Sequence, residues 1–184
     1  MSKRPTVLVF AASNSTTSVN QMLAMHAAAV LQKEMEVEID TLDLNDFEMP
    51  IYSPEREKGD GIPQLAQDFY ARIGAADGLI ISYAEYNGHY TSAFKNIFDW
   101  CSRIDRKIYQ EKPQLALSTS PGGRGGASVM KVVQEAAKYF GGNIKASLSV
   151  GKFYGNFDSE AKQLADPYLA KLLREAVLEL KAAL

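Results

Sequence analysis

Five short apolar runs recur along the chain, each followed by a segment with helical spacing. This alternation constrains the fold more than any other feature. Thr6-Val7-Leu8-Val9-Phe10 is continuously apolar, as parallel strands are when both faces are covered. Val37 to Leu42 alternates and reads as a second strand. Gly78-Leu79-Ile80-Ile81, Gln114 to Ser118 and Ile144 to Val150 supply the third, fourth and fifth. Between them, Val19, Leu23, Ala27, Val30 and Leu31 fall on one helical face, and Ser18 with Gln21 forms an S-x-x-Q capping box at its start. Pro63 opens a second helix that runs to about Ala76. Phe94, Ile97, Phe98 and Cys101 mark a third. Val129, Val132, Val133, Ala136, Ala137 and Phe140 mark a fourth, stopped by Gly141-Gly142. Asp166-Pro167 reads as N-cap and first residue of the last helix, with Leu172, Ala176 and Leu180 inward. The order βαβαβαβαβα predicts an α/β fold: a doubly wound, five-stranded parallel sheet of order 2-1-3-4-5 with helices on both faces. The 184 residues suffice for one domain with a full core, and no repeat, low-complexity tract or linker divides them.

In that strand order, strands 1, 3 and 4 are neighbours, and ligands of such sheets sit beyond their carboxyl ends. Three unusual loops lie there. The first, Ala12-Ser13-Asn14-Ser15-Thr16-Thr17-Ser18-Val19-Asn20, is dense in hydroxyls and amides and opens a helix, whose free N–H groups and positive dipole end suit an anion. It reads as a phosphate seat, against the plainer reading of an over-supplied N-cap. The second, Ser82-Tyr83-Ala84-Glu85-Tyr86-Asn87-Gly88-His89-Tyr90, carries three tyrosines, each a flat apolar face with a polar tip. Asn87-Gly88 is a turn pair tolerant of positive φ. This loop reads as a seat for a planar ring. The third, Thr119 to Gly126, has four glycines around Arg124, which let backbone approach a ligand edge. A phosphate seat, a ring platform and a backbone cradle together fit one mononucleotide, FMN.

Other nucleotide chemistries lack their residues. The first loop has none of the glycines of G-x-G-x-x-G, and no G-K-[ST] occurs anywhere. Strands 1 and 3 end in Ala11-Ala12 and Ser82-Tyr83, without the acidic residues of a phospho-acceptor. The net charge of −2, with no long run of one sign, argues against a nucleic-acid or anionic-membrane surface. One cysteine leaves no internal disulfide or cysteine metal cluster. No apolar stretch is long enough for a bilayer, and Met1-Ser2-Lys3-Arg4-Pro5 has no signal-peptide character, so a cytoplasmic location is expected.

These loops resemble those of the NADPH-dependent FMN reductases of the flavodoxin-like fold, whose relatives include quinone, chromate and azo-dye reductases. The family's G-S-x-R-x-x-S-x-N corresponds to Ala12 through Asn20. Its P-E-Y-N-G and L-K-N-x-x-D-W correspond to Ala84-Glu85-Tyr86-Asn87-Gly88 and Phe94-Lys95-Asn96-Ile97-Phe98-Asp99-Trp100. Its S-x-S-P-G-x-x-G-G matches Ser118 through Gly126, and the likeness extends to Met49-Pro50-Ile51-Tyr52 within the long polar connection 43–62. Ser15 stands where an arginine is frequent, and Ala84 where a proline is. The resemblance implies phosphate binding by Ser13, Ser15, Ser18 and Asn20. It implies ring binding by Glu85, Tyr86, Asn87 and Gly88, and a second ring edge from Ser120, Pro121, Gly122 and Gly123. It further implies FMN as cofactor, NADPH or NADH as reductant, and a small-molecule electron acceptor such as a quinone, free flavin, azo compound or metal oxyanion. A homodimer or homotetramer is expected, with Phe94, Phe98 and Trp100 near the site. No side chain is needed as a general acid or base and no metal is implied, since the flavin carries the chemistry. A flavodoxin-type electron carrier is the alternative, although such carriers are strongly acidic and this chain is nearly neutral. Cys101 is expected to be packing, His26 and His89 to be solvated, and Glu85 to be a structural or interface carboxylate.

Overall fold

The computed structural model describes residues 4–184; residues 1–3, part of the stretch read as lacking a signal peptide, lie outside the described residues. Five parallel strands form one sheet in the order β2-β1-β3-β4-β5. They are β1 (Thr6–Ala11), β2 (Glu38–Thr41), β3 (Gly78–Tyr83), β4 (Pro113–Thr119) and β5 (Asn143–Val150). The helices are α1 (Val19–Glu34), α2 (Pro54–Asp60), α3 (Gln64–Ala75), α4 (Ser92–Ile104), α5 (Ala127–Ala137), the single turn α6 (Phe153–Asn156) and α7 (Pro167–Lys181). A short antiparallel pair, β6 (Phe157–Asp158) and β7 (Gln163–Leu164), lies between α6 and α7. None of the described helices is long and apolar enough to cross a membrane.

The central strands are buried on both faces because their alternate residues feed two cores. Leu8, Phe10, Leu79, Ile81 and Ala116 pack with residues of α3, α4 and α5. Val7, Val9, Ile80, Leu115 and Leu117 pack with residues of α1 and α7. The predicted fold and strand order are therefore those observed. Asp166 caps α7 as expected, accepting from the N–H groups of Tyr168 and Leu169, each at 2.9 Å.

Local departures have clear causes. β3 runs two residues further than the apolar run, because Tyr83 points into the core and keeps the ladder going to Ser118. The connection 43–62 is not structureless: a 3₁₀ turn (Leu44–Phe47) is capped by Asp43, and α2 is capped by Ser53 with Pro54 behind it. On α7, Leu173, Ala176, Val177 and Leu180 are fully buried while Leu172 is only partly so. α5 ends at Ala137, before Phe140. Gly141 (φ 67°) and Gly142, whose N–H reaches the Ala137 carbonyl at 2.8 Å, turn the chain back.

Candidate functional site

Each of the three loops leaves the carboxyl end of a central strand, and side chains lock them to one another. Asn20 is the hub. Its Oδ1 accepts from the Ser82 hydroxyl at 2.8 Å and the Thr119 N–H at 3.0 Å, and its Nδ2 donates to the Thr119 carbonyl at 3.1 Å. It thus ties α1 to the ends of β3 and β4. Buried Thr91, the N-cap of α4, donates to the Ala12 carbonyl at 3.0 Å and joins the first loop to the second. Glu85 joins the second to the third. One carboxylate oxygen accepts from the Val129 N–H in the first turn of α5 at 2.9 Å, and the other lies 3.9 Å from Arg124. Gly126, the N-cap residue of α5, has no side chain to do this, so Glu85 serves from another loop.

The result is a cavity of about 220 Å³ lined by all three loops. Ser13, Ser15, Thr17, Ser18, Val19 and Asn20 line one side; Glu85 and Tyr86, and Thr119, Ser120 and Pro121, line others. Ser18 caps α1, accepting from the Gln21 N–H at 3.3 Å. The capping box is only half formed, because Gln21 turns its Oε1 to the Ala11 N–H at 2.9 Å. No acidic residue occupies the first turn of α1. The Val19 and Asn20 N–H groups of that first turn have no partner within the helix and remain available to an anion. A larger cavity, about 440 Å³, lies on the other side of the first loop against Met22, Leu42, Asp43 and Leu44. It meets neither of the other two loops.

Four of the expected residues stand off the three-loop cavity. Asn87 (φ 54°) and Gly88 (φ 79°) form a two-residue turn, with paired backbone bonds between Tyr86 and His89 at 3.0 and 3.1 Å. This turn holds Tyr86 out, 51% exposed. Gly122 and Gly123 are exposed beyond the rim, with the Gly122 carbonyl engaged by the Lys152 N–H at 2.9 Å.

The tyrosine platform is narrower than the sequence suggests. Tyr83 and Tyr90 are core residues, packed with Phe94, Phe98 and Tyr109, and only Tyr86 faces solvent. Burial raises the Tyr83 phenol pKa and pushes that of Tyr90 up to about 12, so both stay neutral. Trp100 is likewise buried. Its Nε1–H donates to the Pro50 carbonyl at 2.7 Å, while Asn96 accepts from the Tyr52 N–H and donates to the Met49 and Pro50 carbonyls. The Asn96 and Trp100 positions of the helix motif therefore clamp the strap Met49-Pro50-Ile51-Tyr52. With Phe94, Phe98 and Trp100 all buried, that cluster presents no face to a second subunit.

Cys101 is core, its thiol pushed up to about 12 by burial. His26 is half-buried, edge-on to Phe157, and burial with nearby Lys33 lowers its pKa, which corrects the solvated assignment. His89 is exposed. Sequence reasoning missed Tyr154 of α6, which lines the cavity. It lies in a short aromatic stretch, Phe153 to Phe157, without helical or strand periodicity.

A family model described as NADPH-dependent FMN reductase matches residues 5–153. A 2-hydroxy-1,4-benzoquinone reductase of a Burkholderia species is 31% identical over 134 residues, 72% of this chain and 70% of that protein. A quinone reductase of Escherichia coli (strain K12) is 29% identical over 128 residues, 69% of this chain and 66% of that protein. Among solved structures, FerB, a flavoenzyme NAD(P)H:(acceptor) oxidoreductase from Paracoccus denitrificans, superposes with a TM-score of 0.72 at 24% identity, covering 97% of each chain.

Proposed function

The chain belongs to the NADPH-dependent FMN reductase family, and from that premise we propose that it is a cytoplasmic FMN-dependent NAD(P)H oxidoreductase, one FMN-binding domain over 1–184, that reduces a small acceptor. The observation that carries this reading is the convergence of three loops on one cavity, with uncharged hydroxyls at a helix start on one side and Tyr86 on another. The residues fit the group. Ser13, Ser15 and Ser18 with the first turn of α1 would hold the phosphate, as donors that carry no charge. Tyr86, Ser120 and Pro121 would flank the ring, and Glu85 would act indirectly by fixing the second loop to α5. Asn20 would act mainly through the strand ends that it joins, because three hydrogen bonds already engage its amide.

FMN, when bound, supplies the ring that accepts hydride from NADPH or NADH and passes electrons on. The protein's part is to seat, orient and partly desolvate that ring. That both relatives are quinone reductases favours a quinone as acceptor, with free flavin, azo compounds and metal oxyanions as further candidates. A homodimer or homotetramer belongs to the same reading on family grounds, and light scattering at micromolar concentration measures it.

The test is the visible spectrum of the FMN-loaded protein before and after anaerobic NADPH, followed by steady NADPH oxidation with a quinone. Flavin bands that bleach, then turnover without a partner reductase, support an enzyme. Bleaching without independent turnover supports an electron carrier. A protein that takes up no FMN rejects both.

A further inference from the structure

Tyr154 is the residue on the cavity for which the fold gives no structural reason. It is 72% exposed, yet its backbone is tightly fixed. The turn that carries it begins at Lys152, a non-glycine residue in the left-handed region (φ 50°). The Lys152 N–H donates to the Gly122 carbonyl at 2.9 Å, and the Phe153 N–H to the Ser120 carbonyl at 3.1 Å. Asn156 Nδ2 donates to the Gly151 carbonyl at 2.8 Å, and buried Phe153 stacks on Phe157 with centroids 4.6 Å apart. A fixed mount thus holds an aromatic ring at the mouth of the cavity. Tyr86 and Tyr154 are the two exposed large aromatics that line it. The family match ends at residue 153, so Tyr154 lies just outside the part of the chain that the family model describes.

On the reading that the cavity holds FMN, we propose that Tyr154 contacts the bound flavin and sets how tightly this chain retains it. A flat ligand between two tyrosines buries apolar ring surface that is otherwise left in water, and aromatic pairs favour such contact beyond the area alone. The residue is then a cofactor-contacting residue supplied by the connection after β5 and not by the three loops.

The experiment titrates FMN into apo-protein, followed by flavin fluorescence, for the wild type, Tyr154→Ala, Tyr154→Phe and the control Tyr139→Ala. Tyr139 is an exposed tyrosine beyond the end of α5 and off the cavity. Expected are a Kd raised about tenfold in Tyr154→Ala and values within twofold of wild type for the other two. Circular dichroism checks that the exposed substitutions leave the fold unchanged. Wild-type binding with Tyr154→Ala also within twofold overturns this inference and leaves the proposed function standing. Wild-type protein that binds no FMN overturns the proposed function and this inference with it.

Discussion

The first and third loops wall the same cavity and are both rich in small residues, yet they are built in opposite ways. In the first loop hydroxyl residues line the cavity. Ser15, Thr16 and Thr17 are exposed, and the Ser15 N–H to Ser13 Oγ bond at 3.2 Å is a link within the loop itself. In the third loop Gly125 and Gly126 serve packing. A Cβ on Gly125 would lie 2.5 Å from the Val150 carbonyl carbon, and one on Gly126 would lie 2.9 Å from the Ser118 Cβ. A Cβ on Gly151 would collide with the Gly123 carbonyl oxygen. The Ser118 hydroxyl donates to the Gly125 carbonyl at 2.8 Å and closes the loop on its own strand. Small residues therefore leave room for a ligand in one loop and for the protein's own backbone in the other.

Three substitutions sharpen or break this contrast. Ser18→Asp should have the largest effect. Aspartate is as good an N-cap as serine, so α1 should start unchanged. A carboxylate about 4 Å from a phosphate charge is repelled by roughly 4 kcal/mol at an effective dielectric near 20, and the lost hydroxyl donor adds roughly 1 kcal/mol. FMN affinity should fall roughly a thousandfold or more. Ser159→Asp, off the three-loop cavity beside the groove of His26 and Lys162, is the control in the same titration. Binding of FMN by folded Ser18→Asp within tenfold of wild type would show that the first loop is not the phosphate seat.

Gly151→Ala comes next and acts through the fold. Overpacking backbone against backbone costs about 1–3 kcal/mol, and thermal unfolding should show a lower Tm. A wild-type Tm would mean that the third loop is not held by this close approach. Glu85→Ala is the mildest. Loss of the α5 cap costs about 1 kcal/mol in urea unfolding, and the second loop, released from α5, should bind FMN several-fold more weakly. Unchanged stability would show that the Val129 contact is incidental.

The contrast also explains what could be read from the sequence. The alternation of strands and helices, the Ser18 and Asp166 caps and the Asn87-Gly88 turn obey rules that act within a few residues, and each stands where expected. The sequence places the three loops at one sheet edge, because topology alone requires it. It does not show which loop residues would serve the protein. Asn20 reads as a phosphate ligand until Ser82 and Thr119, 62 and 99 positions away, occupy its amide. Tyr83 reads as platform because an apolar run does not show where its strand stops. The strap contact of Trp100 is not legible either, because the carbonyl that receives its N–H is 50 positions distant. Tyr154 has no local pattern at all.

The clasp between residues 151–153 and the third loop also bears on when the site can come into being. Synthesis proceeds from the N-terminus, and early segments can begin folding before later ones emerge. The first-loop wall and Tyr86 lie within the first 86 residues, but the Gly122 and Ser120 carbonyls of the third loop gain their partners only when Lys152 and Phe153 have left the ribosome. Tyr154 follows immediately. A nascent chain halted before that point has the first two loops of the site and an unclasped third. The cavity is therefore a late product of translation, with its walls complete only when most of the chain is free to fold.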